Sequence, residues 1–272
     1  MSIPHGDIRR MPLGYGPAPG PRQNANGEHI SAGTVETLSV SIVADVAEAD
    51  VARILPEPFT LAEPQVIVGL HRLRNISWLA GRGYNILDLR GPARGRGTTA
   101  TVEGDYVSVL WENRAEPIIT GREELGFAKI YAEIDDVCDT QQPGPTINAT
   151  ASWDTHRFFE LAVEDIAEAP PIRPARARLH RKYIPATERW DQADVDYPVL
   201  TPANDPARRT IRTWTGNGEF RFLPGTFSEL PTMDYIVNTL AAMRVLAVSP
   251  AQIVLSEGGK SLADQTRIEL RR

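Results

Sequence analysis

One lysine stands apart in this chain. Of 29 basic residues only three are lysines, Lys129, Lys182 and Lys260. Lys182 follows Arg181 in a basic run, and Lys260 follows Gly258-Gly259 in a polar turn. Lys129 alone lies among apolar neighbours, in Gly121-Arg122-Glu123-Glu124-Leu125-Gly126-Phe127-Ala128-Lys129-Ile130. A buried ammonium costs several kcal/mol unless it is paired or gives up its proton. An arginine cannot do the latter, because guanidinium stays charged. A neutral amine attacks ketones and aldehydes to give an imine, and the protonated imine withdraws electrons from the adjacent carbon. The competing reading is a lysine whose stem is buried and whose head reaches solvent.

The segment around it reads as a strand over 123–130. Alternation then puts Leu125, Phe127 and Lys129 on one face and Ala128 and Ile130 on the other. Both faces are largely apolar, so the strand is expected to be covered on both sides, which disfavours the charged form of an amine.

The ordered motifs resemble the acetoacetate decarboxylase family. Its active-site segment has Gly-Arg-Glu, then an aromatic residue, proline and two lysines, and the first of these falls on Lys129. Pro56-Glu57-Pro58, Glu63-Pro64, Gly104-Asp105-Tyr106, Glu116-Pro117, Leu230-Pro231 and Pro250 follow in the family's order. The likeness runs over roughly residues 35–256 and is weak between 150 and 225. It implies an α+β, mostly β fold: a curved antiparallel sheet or closed barrel around a cavity that holds Lys129, assembled as a homo-oligomer. Departures accompany the match. The second lysine is Ile130, the family's pocket glutamates fall on Gly69 and Ile86, and its arginine falls near Asp45.

These departures turn the expected chemistry from acetoacetate decarboxylation toward an aldolase or dehydratase. In that reading Lys129 forms the Schiff base with a keto acid or aldehyde. Arg122 either orients a substrate carboxylate or pairs with an acid such as Glu123. Glu123 or Glu124 carries a proton, and Tyr84, Trp111 and Phe127 line the pocket. Acetoacetate decarboxylation itself, or a binding protein that kept the cavity without turnover, are the alternatives.

The elements that must position these residues are mostly strands. Residues 1–33, rich in Gly and Pro, read as an extended arm before one domain over 34–272. Strands are expected at Val35–Val43, Gln65–Leu73, Tyr84–Leu89, Thr98–Trp111, Thr146–Trp153, Arg209–Leu223 and Ala251–Leu255. A break is expected in the fourth at Gly104-Asp105. A short helix is expected from Asp45 to Leu55, where Pro56 and Pro58 stop it, and a longer one over Pro231–Leu246. The stretch 91–97, Gly-Pro-Ala-Arg-Gly-Arg-Gly with three glycines, reads as a turn or hairpin loop, and Arg157–Ala167 fits helix or strand. The basic run from Arg173 to Lys182 reads as an anion or nucleic-acid patch or, with its acidic flanks, as a solvated or subunit-facing surface.

A net charge of -6 argues against general nucleic-acid affinity. The single cysteine, Cys138, excludes an internal disulfide and fits a reducing cytoplasm. No apolar run reaches the roughly 18 residues that a membrane helix needs. His71 has no second histidine at ligand spacing, and Val254 stands where a phosphate-binding loop ending at Lys260-Ser261 requires glycine. No metal or organic cofactor is expected.

Overall fold

The computed structural model describes residues 11, 35–97, 101–137, 143–203, 208–258 and 264–269. The expected arm (apart from Met11), Cys138 and Lys260 lie outside the described residues. The elements in order are β1 (Glu36–Val46), α1 (Glu48–Ala52), β2 (Phe59–Leu61), β3 (Gln65–Arg74), β4 (Tyr84–Arg96), β5 (Thr101–Glu112), α2 (Ala115–Thr120), β6 (Lys129–Tyr131), β7 (Glu133–Ile134), β8 (Ile147–Trp153) and β9 (His156–Glu168). They continue with β10 (Arg178–Ala186), β11 (Arg189–Thr201), β12 (Arg209–Phe222), α3 (Asp234–Ala241), β13 (Val245–Val248), β14 (Ala251–Glu257) and β15 (Thr266–Arg267).

Among the described residues all the strands join one curved sheet, whose main path runs β15-β11-β10-β5-β4-β3-β1-β14-β12-β9-β8-β7. The two ends do not pair with each other, so hydrogen bonds do not close it. Most neighbours are antiparallel, but β5 pairs in parallel with both β6 and β10.

Alternation divides the two faces of this sheet. On β1, Leu38, Val40 and Ile42 are fully buried in the main core. They pack with Val68 and Leu70 of β3, Leu87 of β4 and the Phe158–Leu161 stretch of β9, so β8 and β9 fold over the back of the sheet. Thr37, Ser39 and Ser41 point the other way, into a large cavity. The small polar side chains on that face keep a hollow open, while the branched apolar ones on the reverse face fill the core.

Several expectations change here. The stretch 91–97 is not a turn: β4 runs on through Arg96, paired to β5 and β2. Glycine at 91 is needed because a Cβ there would lie 2.7 Å from the Gln65 carbonyl oxygen. β5 is unbroken at Gly104-Asp105, and residues 156–168 are strand. β1 continues to Val46 and leaves only one turn of helix, α1. The longer helix spans Asp234–Ala241, after which β13 returns to pair with β1.

Candidate active site

The segment that carries Lys129 is a helix and a loop before it is a strand. α2 runs into a wider helical turn over Gly121–Leu125, and Gly126 ends it in the left-handed region at φ 79°. A Cβ at 126 would lie 2.4 Å from Cβ of Lys182, so both backbone and space demand glycine. β6 starts only at Lys129, where Lys129 pairs with Leu110 of β5. A Cβ at Gly121 would fall 2.3 to 2.6 Å from Cδ, Cε and Nζ of Lys129. The lysine stem therefore lies directly on the Gly121 backbone, which explains their spacing in the sequence.

Neighbouring side chains pin this loop. Arg122 donates to the Lys129 carbonyl oxygen at 2.9 Å, and Lys182 donates to the Glu124 carbonyl oxygen at 3.0 Å. The His180 ring lies 3.1 Å (Nδ1) from the Gly126 oxygen and stacks on Phe127 with centroids 4.0 Å apart. Its Nε2 lies 3.1 Å from the Thr201 hydroxyl. Burial pushes the His180 imidazole down to about 4, against the opposing bond to Gly126. At neutral pH it is thus uncharged, donating through Nδ1 and accepting from Thr201.

The lysine head is dry and has an acid beside it. Lys129 is 7% exposed and Glu112 is 0% exposed. Nζ lies 2.8 Å from Oε1 of Glu112 and donates to the Pro117 carbonyl oxygen at 3.1 Å. The Phe127 ring centroid is 6.0 Å away. Oε2 of Glu112 has no hydrogen-bond partner among the described residues. Burial pushes the Glu112 carboxyl up, with Lys129 pulling against it. Burial and the nearby Glu112 also raise the Tyr84 hydroxyl well above 10.

Lys129, Tyr84 and Phe127 all line the cavity. Arg122 and Glu123 do not: Arg122 is engaged by the Lys129 backbone and Glu123 is exposed. Trp111 lies on the opposite face, fully buried against Phe158 and Phe222, with its indole N–H directed at Met233 sulfur. The cause is a bulge. Leu89 pairs with Val109 and Arg90 with Val107, so Ser108 is an extra residue in β5. Before it, Asp105 and Val107 face the cavity; after it, Leu110 and Glu112 do. One inserted residue turns Trp111 into the core and Glu112 toward the lysine.

The cavity has a volume of about 1190 Å³ and extends well beyond Lys129. Next to Gly69, Asp88 pairs with Arg90 and faces Nε2 of His71 at 3.4 Å, while Nδ1 of His71 meets the Ser39 hydroxyl at 2.8 Å. Burial opposes ionisation of Asp88, but Arg90 and His71 hold its carboxyl well below the ordinary carboxylate range. A Cβ on Gly69 would be 2.5 Å from Oδ1 of Asp88, so this cluster fills the space of the missing side chain. Further along, Asp105 meets Arg176 at 3.2 Å and Arg178 at 3.1 Å. The basic run is therefore no solvated surface: Arg173, Arg176 and Arg178 line the cavity, His180 and Lys182 hold the lysine loop, and Arg181 pairs with Asp196.

The curved sheet surrounds a cavity lined by the buried Lys129, and comparison with known proteins gives the chain its family. The family model for acetoacetate decarboxylase (ADC) matches residues 10–263, so the chain belongs to the acetoacetate decarboxylase family. Solved structures share the fold at low identity. One titled as structural studies of acetoacetate decarboxylase has a TM-score of 0.69 at 17% identity, covering 87% of this chain and 90% of that one. The acetoacetate decarboxylase of Legionella pneumophila gives 0.62 at 17%, covering 84% and 85%. The enduracididine biosynthesis enzyme MppR, complexed with pyruvate, gives 0.63 at 16%, covering 90% and 95%. No curated protein matches. Among the described residues there is no group of three or more His, Cys, Asp or Glu that could hold a metal ion, and no helix is long and apolar enough to cross a membrane.

Proposed function

We propose that the chain is a Schiff-base lyase for a keto acid, working by condensation or dehydration rather than acetoacetate decarboxylation. The observation that carries this is the Lys129 amine beside the Glu112 carboxyl, both buried and both lining the cavity. Glu112 is placed at 2.8 Å to take a proton from Nζ as the substrate carbonyl approaches, which frees the amine lone pair. The Nζ lone pair bonds to the substrate carbonyl carbon, and an amine proton passes to the carbonyl oxygen. Glu112 returns its proton to that hydroxyl, the C–O bond breaks, and water leaves an iminium. The Glu112 carboxylate then removes a proton from the adjacent carbon, and the C–H electrons form the enamine. The enamine carbon attacks an aldehyde and makes one C–C bond, the C=N bond re-forms as the iminium, and the aldehyde oxygen takes the proton from Glu112 to become a hydroxyl. Glu112 removes the second proton from the same carbon and returns it to the departing hydroxyl, so a C=C bond forms and water leaves, and hydrolysis of the iminium frees the product and Lys129.

Two points support this outcome over decarboxylation. The pocket glutamates that the family likeness calls for are Gly69 and Ile86, and Asp88 near Gly69 is engaged by Arg90. MppR has been captured with pyruvate and with the condensation product of pyruvate and imidazole 4-carboxaldehyde. One domain over 34–272, a homo-oligomer and a cytoplasmic location belong to the same reading; the exposed Val245, Leu246 and Val248 of β13 support self-association. The test is product analysis of the enzyme with pyruvate plus an aromatic aldehyde, and separately with acetoacetate. Condensation product without carbon dioxide release is expected. Carbon dioxide release from acetoacetate with no condensation would make it a decarboxylase, and neither product would leave no turnover to explain.

A further inference from the structure

The cavity has a second chemically defined end. Lys129 pairs with Leu110 of β5, whereas Arg178 pairs with Asp105 of the same strand. The bulge at Ser108 takes up one residue of this interval, which β4 spans from Pro92 to Asp88, about 13 Å at ~3.3 Å for each residue. Around the far rung stand Arg90, Arg173, Arg176 and Arg178. The carboxylates facing them among the described residues are Asp88, Asp105 and Glu63, the last 3.9 Å from Arg176. Arg173 has no carboxylate within ion-pair distance among the described residues; its Nη2 donates to Gln65 Oε1 at 3.3 Å. The backbone N–H groups of Ile172 and Arg173 both donate to Gln252 Oε1, at 2.7 and 2.8 Å, so the loop that presents Arg173 is fixed. Arg178 is pushed down to about 10 by burial and by Arg90, yet stays charged at neutral pH. Cations in excess inside a cavity lack the compensation that buried charge requires, and an anion supplies it. Between the two ends, Ile67, Val107, Leu110 and Val254 give an apolar wall.

We propose that the arginine end is a second subsite, which binds the distal carboxylate of an elongated keto acid whose carbonyl reaches Lys129. This rests on the Schiff-base reading of Lys129. A small keto acid such as pyruvate spans a few ångströms and cannot engage both ends. A cavity of about 1190 Å³ exceeds the ~300–1,000 Å³ usual for a drug-sized ligand, as a long acyclic diacid in partial hydration would need.

The probes are α-ketosebacate and α-ketodecanoate, of equal length and differing only in the distal carboxylate. Binding is measured by calorimetry, and imine formation by borohydride trapping, on the full chain. The diacid is expected to bind about tenfold more tightly than the monoacid, the scale of one charge-assisted hydrogen bond. Arg173→Gln is expected to abolish most of that preference without changing the affinity for α-ketodecanoate. Arg178→Gln should do the same, but it also disturbs Asp105, so Arg173→Gln, at a guanidinium that pairs with no acid among the described residues, guards against misreading a folding defect. Equal affinity for both probes in the unaltered protein, or a preference that survives both substitutions, would overturn the subsite. Calorimetry reads the arginine end whether or not an imine forms. Diacid preference without any trapped adduct would therefore retain the subsite and remove the Schiff base, and adducts without preference would do the reverse.

Discussion

Acidification should loosen this protein through His180, by an amount the structure sets. The ring is 1% exposed, and burial lowers it from its ordinary 6.5 to about 4. An unfolded chain protonates this imidazole near 6.5, but the folded one resists until about 4. The unfolded state binds more protons between these values, so stability is full above 6.5 and falls as pH drops toward 4. At about 1.4 kcal/mol for each pH unit, the interval is worth about 3 kcal/mol. His71, also lowered by burial, acts in the same direction, so the His180 share must be isolated. His180→Gln keeps a side-chain donor for the Gly126 oxygen and cannot titrate. Urea unfolding of both proteins at several pH values from 7 to 4 measures the share, as each curve gives an unfolding free energy. The unaltered protein should lose about 3 kcal/mol more than the variant across the interval. Parallel pH profiles would refute a neutral, buried His180 as the clamp on the lysine loop.

Other outcomes follow from the same contacts. Glu112→Gln should destabilise by about 3 kcal/mol, because it leaves a buried ammonium without its acid, and adding Lys129→Met should recover most of that loss in denaturant melts. Asp88→Asn should flatten the acid side of the stability profile: the lowered Asp88 carboxyl contributes stability above the ordinary carboxylate range and loses it as pH falls below that range. Gly121→Ala puts a methyl group against the flexible end of Lys129, so the fold should survive while borohydride trapping of pyruvate falls about tenfold.

Lys129 was legible because the chain uses arginine almost everywhere else, and the central strands were legible because their β-branched residues alternate. The apolar pattern at Leu125, Phe127 and Ile130 suggested a strand, but Gly126 at positive φ ends a helical turn there and delays pairing until Lys129. Glu112 was missed, and Trp111 was set on the cavity face, because a bulge at Ser108 shifts the phase of β5 without a glycine or proline to mark it. Asp45 and Gln65 illustrate a simpler case: the polar end of β1 is met by a hydrogen bond of 2.8 Å across the strand pair. The arginine end needed pairing information, since Arg90 and Arg178 lie far apart in sequence and meet only because β4 and β10 flank β5. Sequence alone marked the basic run as an anion patch or a surface, and the parallel pairing of β10 with β5 decides that it lines the cavity.

With only three lysines in the chain, peptide mass mapping after borohydride reduction with pyruvate tests the central claim most directly. The expected result is one reduced adduct, on the peptide that carries Lys129, and none in Lys129→Met. Adducts on Lys182 or Lys260 instead, or labelling that persists in Lys129→Met, would contradict it.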